Sequence, residues 1–134
     1  MKRMLTALLL VLLPALGIAM TADDEIQADA MAWLSLVDQQ KYDASWDAAS
    51  SLFRSQINES DWTKAASAAR QPLGPLVFRT LQQMARATSL PGAPEGDYAI
   101  LQFQARFQNK ASAIETLTLM HEGDARKTAG YFIK

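Results

Sequence analysis

The sequence predicts an α+β domain in which three N-terminal helices pack on one face of a four-stranded antiparallel sheet. Apolar residues recur at helical spacing as far as residue 71, and from Leu76 onward they alternate with polar residues as they do in strands. The chain has 134 residues, of which 49% are apolar, and it contains no cysteine. A single domain is expected at this length, and its stability must come from a buried core because no disulfide can form.

The N-terminus has the pattern of a secretory signal peptide. Two basic residues precede an apolar stretch that ends in small residues at Gly17 and Ala19, which fit the narrow subsites of a signal peptidase. We expect cleavage after Ala19, with cleavage after Ala22 as the second choice. Residues 1–19 would then be the signal peptide, and residues 20–134 would form one mature domain that is periplasmic or secreted.

An uncleaved membrane anchor is the alternative interpretation of the same segment. Residues 4–22 carry no charge, and about 20 apolar residues can span a bilayer. Pro14 and the small residues near Ala19 favour cleavage, so we expect no stable membrane insertion after the segment is removed. Removing Lys2 and Arg3 changes the formal charge from −1 to −3, and this mild acidity predicts no nucleic-acid partner.

The first predicted helix covers residues 23–39, and the second covers residues 42–54. Apolar side chains in the first recur at Ile26, Ala30, Trp33, Leu34 and Val37. Those in the second recur at Tyr42, Trp46, Ala49 and Phe53. Each set forms one apolar stripe along its helix, so each helix is expected to bury one side.

The third predicted helix begins after Asn58 and ends by Gln71. Asn58 can cap it, acidic residues fill its first turn, and Ile57 can pack on Trp62 as a hydrophobic staple. Pro72 disfavours helical backbone in the residue before it. The tryptophan of each helix, at positions 33, 46 and 62, lies on the apolar stripe, so core packing explains the three better than a carbohydrate-stacking surface.

Four strands joined by short turns predict an antiparallel meander. They are predicted at Leu76–Ala87, Tyr98–Gln108, Ala113–His121 and Lys127–Ile133. In the second strand the odd-numbered residues from Ala99 to Phe107 are apolar, and the even-numbered ones from Gln102 to Gln108 are amide or basic. One sheet face is therefore buried by the helices, while the other meets solvent or a partner.

The order of helices and strands is similar to the nuclear transport factor 2-like superfamily, which implies a cone-shaped fold with a curved sheet. Individual landmarks resemble the exported bacterial family named domain of unknown function 4019. These landmarks are Trp33-Leu34, Val37-Asp38, Lys41-Tyr42, Ser45-Trp46, Arg70, Pro72-Leu73-Gly74, Leu90-Pro91-Gly92, Phe107, Asn109-Lys110, Glu115-Thr116 and Gly130-Tyr131. The resemblance covers nearly the whole predicted mature chain. The superfamily includes isomerases, dehydratases and non-catalytic binding domains, so the resemblance implies no single activity.

One landmark of the resembled family is missing. The resemblance implies a tryptophan near Arg126, whereas this chain has Arg126-Lys127-Thr128. We therefore expect the packing at the start of the last strand to differ from that of the family.

Glu115 is the most unusual candidate residue, because it shares a strand face with two leucines. A carboxylate on a buried face needs a cationic partner, and Arg79 and Arg106 on the two preceding strands are the predicted ones. The pair would either brace the sheet or orient a polar ligand inside the cone, and the brace is preferred. Tyr131 could add a hydroxyl to the same ligand site, although its alternation with apolar neighbours is typical of core.

His121 is the single histidine and thus the usual type of residue for a general base. Its place beside the turn at residues 122–124 predicts a solvated surface position. One histidine and no cysteine leave only carboxylates to complete a transition-metal site, so no metal is expected. The sequence has no phosphate-binding glycine loop, dinucleotide fingerprint or Gly-x-Ser-x-Gly elbow. We therefore expect no cofactor and assign no catalytic residue.

Three functions remain open from the sequence. The favoured one is a non-catalytic exported domain that binds a small molecule or an envelope protein. The predicted fold can form a pocket, but the sequence shows no set of catalytic residues. The second is a cofactor-independent isomerase or hydrolase that uses Glu115 or His121 as a base inside the cone. The third is a structural module in which the sheet faces of two copies meet in a homodimer.

Overall fold

Four α-helices followed by a four-stranded antiparallel sheet make up the computed structural model, which describes residues 17–134. Most of the predicted signal peptide lies outside these described residues. The helices are α1 (Ala22–Asp38), α2 (Tyr42–Ala48), α3 (Ser51–Gln56) and α4 (Glu59–Arg70), with a 3₁₀ turn at Gln71–Leu73. The strands are β1 (Leu76–Ala87), β2 (Tyr98–Phe107), β3 (Lys110–Glu122) and β4 (Ala125–Ile133). The predicted α+β class is confirmed.

The prediction of three helices is wrong, because residues 42–54 form two helices. Ala49 is extended, with a ψ of 167°, and Ser50 starts α3 as its N-cap. The Ser50 hydroxyl accepts a hydrogen bond from the N–H of Phe53 at 3.1 Å. The Ser50 N–H donates to the carbonyl of Thr128 in β4 at 2.9 Å, so the break joins the helices to the sheet.

Side chains cap the starts of both α1 and α4, and the cap of α4 was predicted from the sequence. Thr21 and Asp24 form a reciprocal capping box at the start of α1, which satisfies two N–H groups that the helix itself leaves free. Asn58 caps α4 by accepting from the N–H of Asp61 at 2.8 Å, as predicted. The buried residues of α1 are those of the predicted stripe, namely Ile26, Ala30, Trp33, Leu34 and Val37.

The sheet is a meander with the strand order β1-β2-β3-β4. Lys110 pairs with Phe107 directly across a tight turn, so β3 begins three residues before the predicted Ala113. β4 likewise begins at Ala125 rather than at Lys127. β1 is an edge strand, and its pairing with β2 is interrupted by two register shifts, which are typical of β-bulges.

The main core lies between the helices and one sheet face. Its centre is aromatic, with neighbouring ring centroids 5.0 to 6.4 Å apart. The rings belong to Trp33, Phe53, Trp62 and Tyr131. The core positions expected for Trp33 and Trp62 are confirmed, while Trp46 is only partly buried at the margin. Phe107 is buried in a second, smaller cluster with Ala105 and Ala113.

Candidate functional site

Two helices end in oppositely charged residues that contact each other. Asp38 is the last residue of α1 and Arg70 the last residue of α4. The Nη2 of Arg70 donates to the Oδ1 of Asp38 at 2.7 Å. The guanidinium carbon of Arg70 also lies 4.7 Å from the centroid of the Phe107 ring, a cation–π distance. Arg70 therefore packs against the smaller apolar cluster while it pairs with Asp38.

Arg79 in β1 connects this helix pair to the sheet. Its Nη1 and Nη2 donate to the two carboxylate oxygens of Asp38, each at 2.9 Å. Its Nε and Nη2 donate to the two oxygens of Glu115, at 2.6 and 3.2 Å. The Arg79 side chain is 2% exposed, so one buried guanidinium is hydrogen-bonded to two carboxylates.

Glu115 in β3 completes the cluster and is fully buried. Besides Arg79, it accepts a hydrogen bond from the hydroxyl of Tyr131 in β4, and the Nη1 of Arg70 lies 3.9 Å away. We name the five residues Asp38, Arg70, Arg79, Glu115 and Tyr131 the ionic network. Its two carboxylates and two guanidiniums balance in charge, as a buried cluster requires.

Burial and pairing act in opposite directions on the groups of the ionic network. Burial alone would raise the pKa of Asp38, but the hydrogen bonds and charges of Arg79 and Arg70 outweigh it and hold that pKa below its usual range. Burial and the neighbouring charge of Glu115 raise the pKa of Tyr131 well above its usual range. Tyr131 therefore stays protonated and donates, while Asp38 stays ionised and accepts.

A pocket of about 370 Å³ opens beside the ionic network. Its wall comes from the end of α1, the start of α2 and the turn between α4 and β1. The lining residues are Val37, Asp38, Gln40, Tyr42, Arg70, Gln71, Gly74 and Pro75. The pocket combines apolar surface with amide, hydroxyl and charged groups, which is the usual character of a small-molecule site.

Arg70 is the least satisfied group on that wall. It is 5% exposed, and its Nε and Nη1 have no hydrogen-bond partner among the described residues. A buried donor without an acceptor costs about 1–3 kcal/mol. Both nitrogens are also inaccessible to solvent, so a ligand would reach them only if the Arg70 side chain shifted.

The structure brings together three of the four predicted ligand-binding residues. Arg79, Glu115 and Tyr131 are in contact, but the expected participation of Arg106 is wrong. Arg106 is exposed because it alternates with the inward-facing Ala105 and Phe107, so its side chain lies on the opposite sheet face.

His121 lies away from the ionic network, as its position beside a turn predicted. It is exposed, and its Nε2 is 3.4 Å from the carboxylate of Asp97. Within residues 17–134 no three side chains of the metal-binding types cluster around a common point. Neither observation provides a base or a metal at the pocket.

Arg126 takes the place where the resemblance implies a tryptophan. It lies 3.5 Å from the carboxylate of Asp29 in α1. Both residues line a second depression of about 220 Å³, between α1 and β4. The buried hydroxyl of Thr128 nearby has no hydrogen-bond partner among the described residues.

Asp38 and Arg70 are the functional candidates that the reasoning from sequence missed. A signal for both is present, because each continues a buried helical stripe at a spacing of four. Asp38 follows Ile26, Ala30 and Leu34, and Arg70 follows Trp62 and Ala66. A charge at the next position of an apolar stripe predicts a buried partner of opposite charge.

Comparisons with known proteins give one match. Neither the comparison with curated proteins nor the one with solved structures finds a match. In the described part of the chain, no helix has the length and apolar character needed to cross a membrane. The profile of one protein family, described as "Protein of unknown function (DUF4019)", matches residues 29–131. This match extends over most of the 134 residues, so the chain belongs to the DUF4019 family.

Proposed function

We propose that the chain is an exported, non-catalytic domain of the cell envelope that binds a small ligand in the pocket beside Arg70. The observation that carries the proposal is a pocket of about 370 Å³ whose wall combines the Asp38–Arg70 ion pair with apolar residues and two glutamines. A pocket of this size takes a small molecule. An arginine fixed there by Asp38 is a positioned hydrogen-bond donor.

The pairing of the acids supports binding rather than catalysis. A general base must reach the proton that it removes, and it must be free to accept it. Both oxygens of Glu115 accept hydrogen bonds from Arg79, and Glu115 does not line the pocket. His121 is on the surface beside Asp97. The alternative of an isomerase or hydrolase that uses Glu115 or His121 therefore has less support.

The finer fold and the location are part of the same proposal. The proposed finer fold is a nuclear transport factor 2-like cone, which is supported by helices packed on one face of a four-stranded antiparallel sheet. Export is supported by the basic and apolar pattern of the N-terminal sequence, and the capping box of Thr21 and Asp24 lies just after the predicted cleavage point at Ala19. Cleavage there would leave this helix cap intact.

Native mass spectrometry of the protein released from the periplasm tests ligand binding. We expect a population heavier than the polypeptide by the mass of a small molecule. Gln71→Trp, at an exposed position on the pocket wall, should remove that population by filling the pocket. Ala68→Trp, at an exposed position of α4 away from the pocket, is the matched control and should keep it.

The outcomes of this experiment separate the candidate functions. Loss of the bound mass in Ala68→Trp as well as in Gln71→Trp would place the ligand elsewhere. The binding function would be contradicted if the protein shows the mass of the polypeptide alone and no small organic compound raises its melting temperature. A bound protein in place of a small molecule would favour the protein-interaction form of the proposal.

A homodimer through the outer sheet face is a second candidate, because two phenylalanines are exposed there. Phe78 in β1 is 50% exposed and Phe132 in β4 is 60% exposed. Both alternate with inward-facing residues, so both lie on the face away from the helices. Sedimentation should give a dimer mass that Phe132→Glu converts to a monomer. A monomer in the unmodified protein would exclude this function.

A further inference from the structure

The end of α1 has an unusual residue at the position where helices commonly place glycine. The N–H of Lys41 donates to the carbonyl of Leu36 at 2.8 Å, and the N–H of Gln40 donates to that of Val37 at 3.0 Å. These two bonds form a Schellman motif, whose C′ residue is left-handed. That residue is Gln40, with a φ of 61°, and it is the one non-glycine residue with positive φ in the described chain.

Backbone strain of this kind is informative when the side chain has another task. A residue with a side chain is strained in the left-handed region of the backbone, so glycine is the favoured residue at C′. The side chain of Gln40 does not fix the helix end, because both hydrogen bonds of the motif use backbone groups. Gln40 is exposed and is one of the residues that line the pocket beside the ionic network. Strain retained at a pocket wall points to a role in the pocket.

We infer that Gln40 is a ligand contact and that the ligand of this pocket is an uncharged, hydrogen-bonding molecule of the amide class. The inference rests on the proposed function, since it specifies what that pocket binds. An amide side chain offers a donor and an acceptor side by side, which a neutral amide can match with an acceptor and a donor of its own. Gln71, from the turn after α4, is a second glutamine among the residues that line the same pocket.

The charge balance of the wall excludes a strong preference for an ion. Asp38 and Arg70 line the pocket, and their charges cancel. Arg79 and Glu115 behind them are also a matched pair. An anion or a cation bound there would be desolvated without a counter-charge, which is costly, whereas a neutral amide meets no such penalty.

Three isosteric probes test the ligand class. Acetamide, acetate and acetamidinium have nearly the same shape and differ in charge. Each is titrated into the isotope-labelled mature protein while the amide resonances of Val37, Gln40, Gln71 and Gly74 are followed by NMR. We expect acetamide to shift these resonances at a dissociation constant at least roughly fivefold below those of both ions, a difference of about 1 kcal/mol. Equal or tighter binding of acetate or acetamidinium would overturn the assigned class.

A paired variant tests the role of Gln40. Gln40→Gly relieves the left-handed strain and removes the amide, so we expect the melting temperature to rise and the acetamide affinity to fall by roughly 2- to 10-fold, as for one lost hydrogen bond. Damage to the fold cannot produce this combination. Gln39→Ala removes the neighbouring amide, which does not line the pocket, and should leave the affinity unchanged.

The failure of this inference is distinguishable from the failure of the proposed function. If the purified protein carries a small molecule but acetamide shifts none of the pocket resonances, the amide assignment is wrong and the binding function stands. If Gln40→Gly binds acetamide as tightly as the unmodified protein, the role of Gln40 is wrong. If no small molecule binds at the pocket at all, both proposals fail together.

Discussion

Glu115 holds three strands in one place through a single carboxylate. It accepts from Arg79 in β1 and from Tyr131 in β4, and it lies in β3 with no exposed surface. Removing one partner of a buried ion pair leaves the other charge without compensation, which costs about 3–5 kcal/mol. The geometry is that of the predicted structural brace.

Glu115→Gln should therefore lower the free energy of unfolding by about 3–5 kcal/mol, because Arg79 keeps its charge and loses one of its two carboxylates. Urea unfolding followed by tryptophan fluorescence measures the change. Glu95→Gln, at an exposed loop position, is the control and should have little effect. A Glu115→Gln protein that melts above the parent would instead indicate a functional carboxylate.

Asp38 gives the stability of the protein a defined dependence on pH. Its pKa is lower in the folded chain than in the unfolded chain. The stabilisation from Asp38 is thus fully present above the unfolded value, about 3.9, and is lost as the pH falls through the folded value. Asp38→Asn should cost about 3 kcal/mol at pH 7, and the difference from the parent should shrink below about pH 4.

Urea unfolding of both proteins between pH 3 and 7 measures that dependence. The Asp38→Asn variant cannot ionise at this position, so its pH dependence reports the titration of every other group. The difference between the two proteins therefore reports Asp38 alone. A difference between the two proteins that stays constant over the whole range would show that the Asp38 carboxylate is not stabilised by Arg70 and Arg79.

Single residues of the site were predictable where the pattern of one element showed them. Glu115 and Tyr131 lie on the inward face of their strands, and a buried carboxylate needs a cationic partner. The choice between Arg79 and Arg106 depends on which face each occupies. The alternation of β2 assigns Arg106 to the wet face, whereas the blurred pattern and register shifts of β1 conceal that Arg79 points inward.

The break between α2 and α3 shows what periodicity misses at the scale of an element. Tyr42, Trp46, Ala49 and Phe53 keep helical spacing across the break, so the stripe alone predicts one helix. The break is stabilised from the sheet. Glu122, in the β3–β4 hairpin, accepts from the N–H and hydroxyl of Ser51 at 2.7 and 2.5 Å. Ser51 and Glu122 are 71 positions apart, so a local sequence pattern cannot reveal their contact.

The Ser50 cap is the local part of that break, and it can be tested alone. Ser50→Ala should lower the free energy of unfolding by about 1 kcal/mol, because the N–H of Phe53 loses its acceptor in a buried position. Equilibrium urea unfolding measures the loss. Ser55→Ala, at an exposed position in the same helix, is the control. An unchanged midpoint for Ser50→Ala would mean that the backbone bond to Thr128 holds the start of α3 without the cap.

At the scale of the whole molecule, the described fold begins where the predicted export signal ends. Thr21 is the N-cap of α1, and cleavage after Ala22 would remove it, whereas cleavage after Ala19 retains it. The mature protein should therefore begin at Met20. Intact-mass measurement of the periplasmic protein checks this, and a full-length chain of 134 residues in the membrane fraction would contradict it.

The ionic network should make the domain open as one unit. The hydrogen bonds between its charged side chains join residues 32 to 41 positions apart, so they form only when both helix ends and the sheet are in place. Departure of α1, α4, β1 or β3 would leave a charge buried without its partner, which should make partial opening nearly as costly as global unfolding. β1 is an edge strand and would otherwise be the first to fray. Because Arg79 is hydrogen-bonded to both Asp38 and Glu115, the backbone amide hydrogens of β1 should exchange with solvent at the rate of those in β2 and β3, as one cooperative unit.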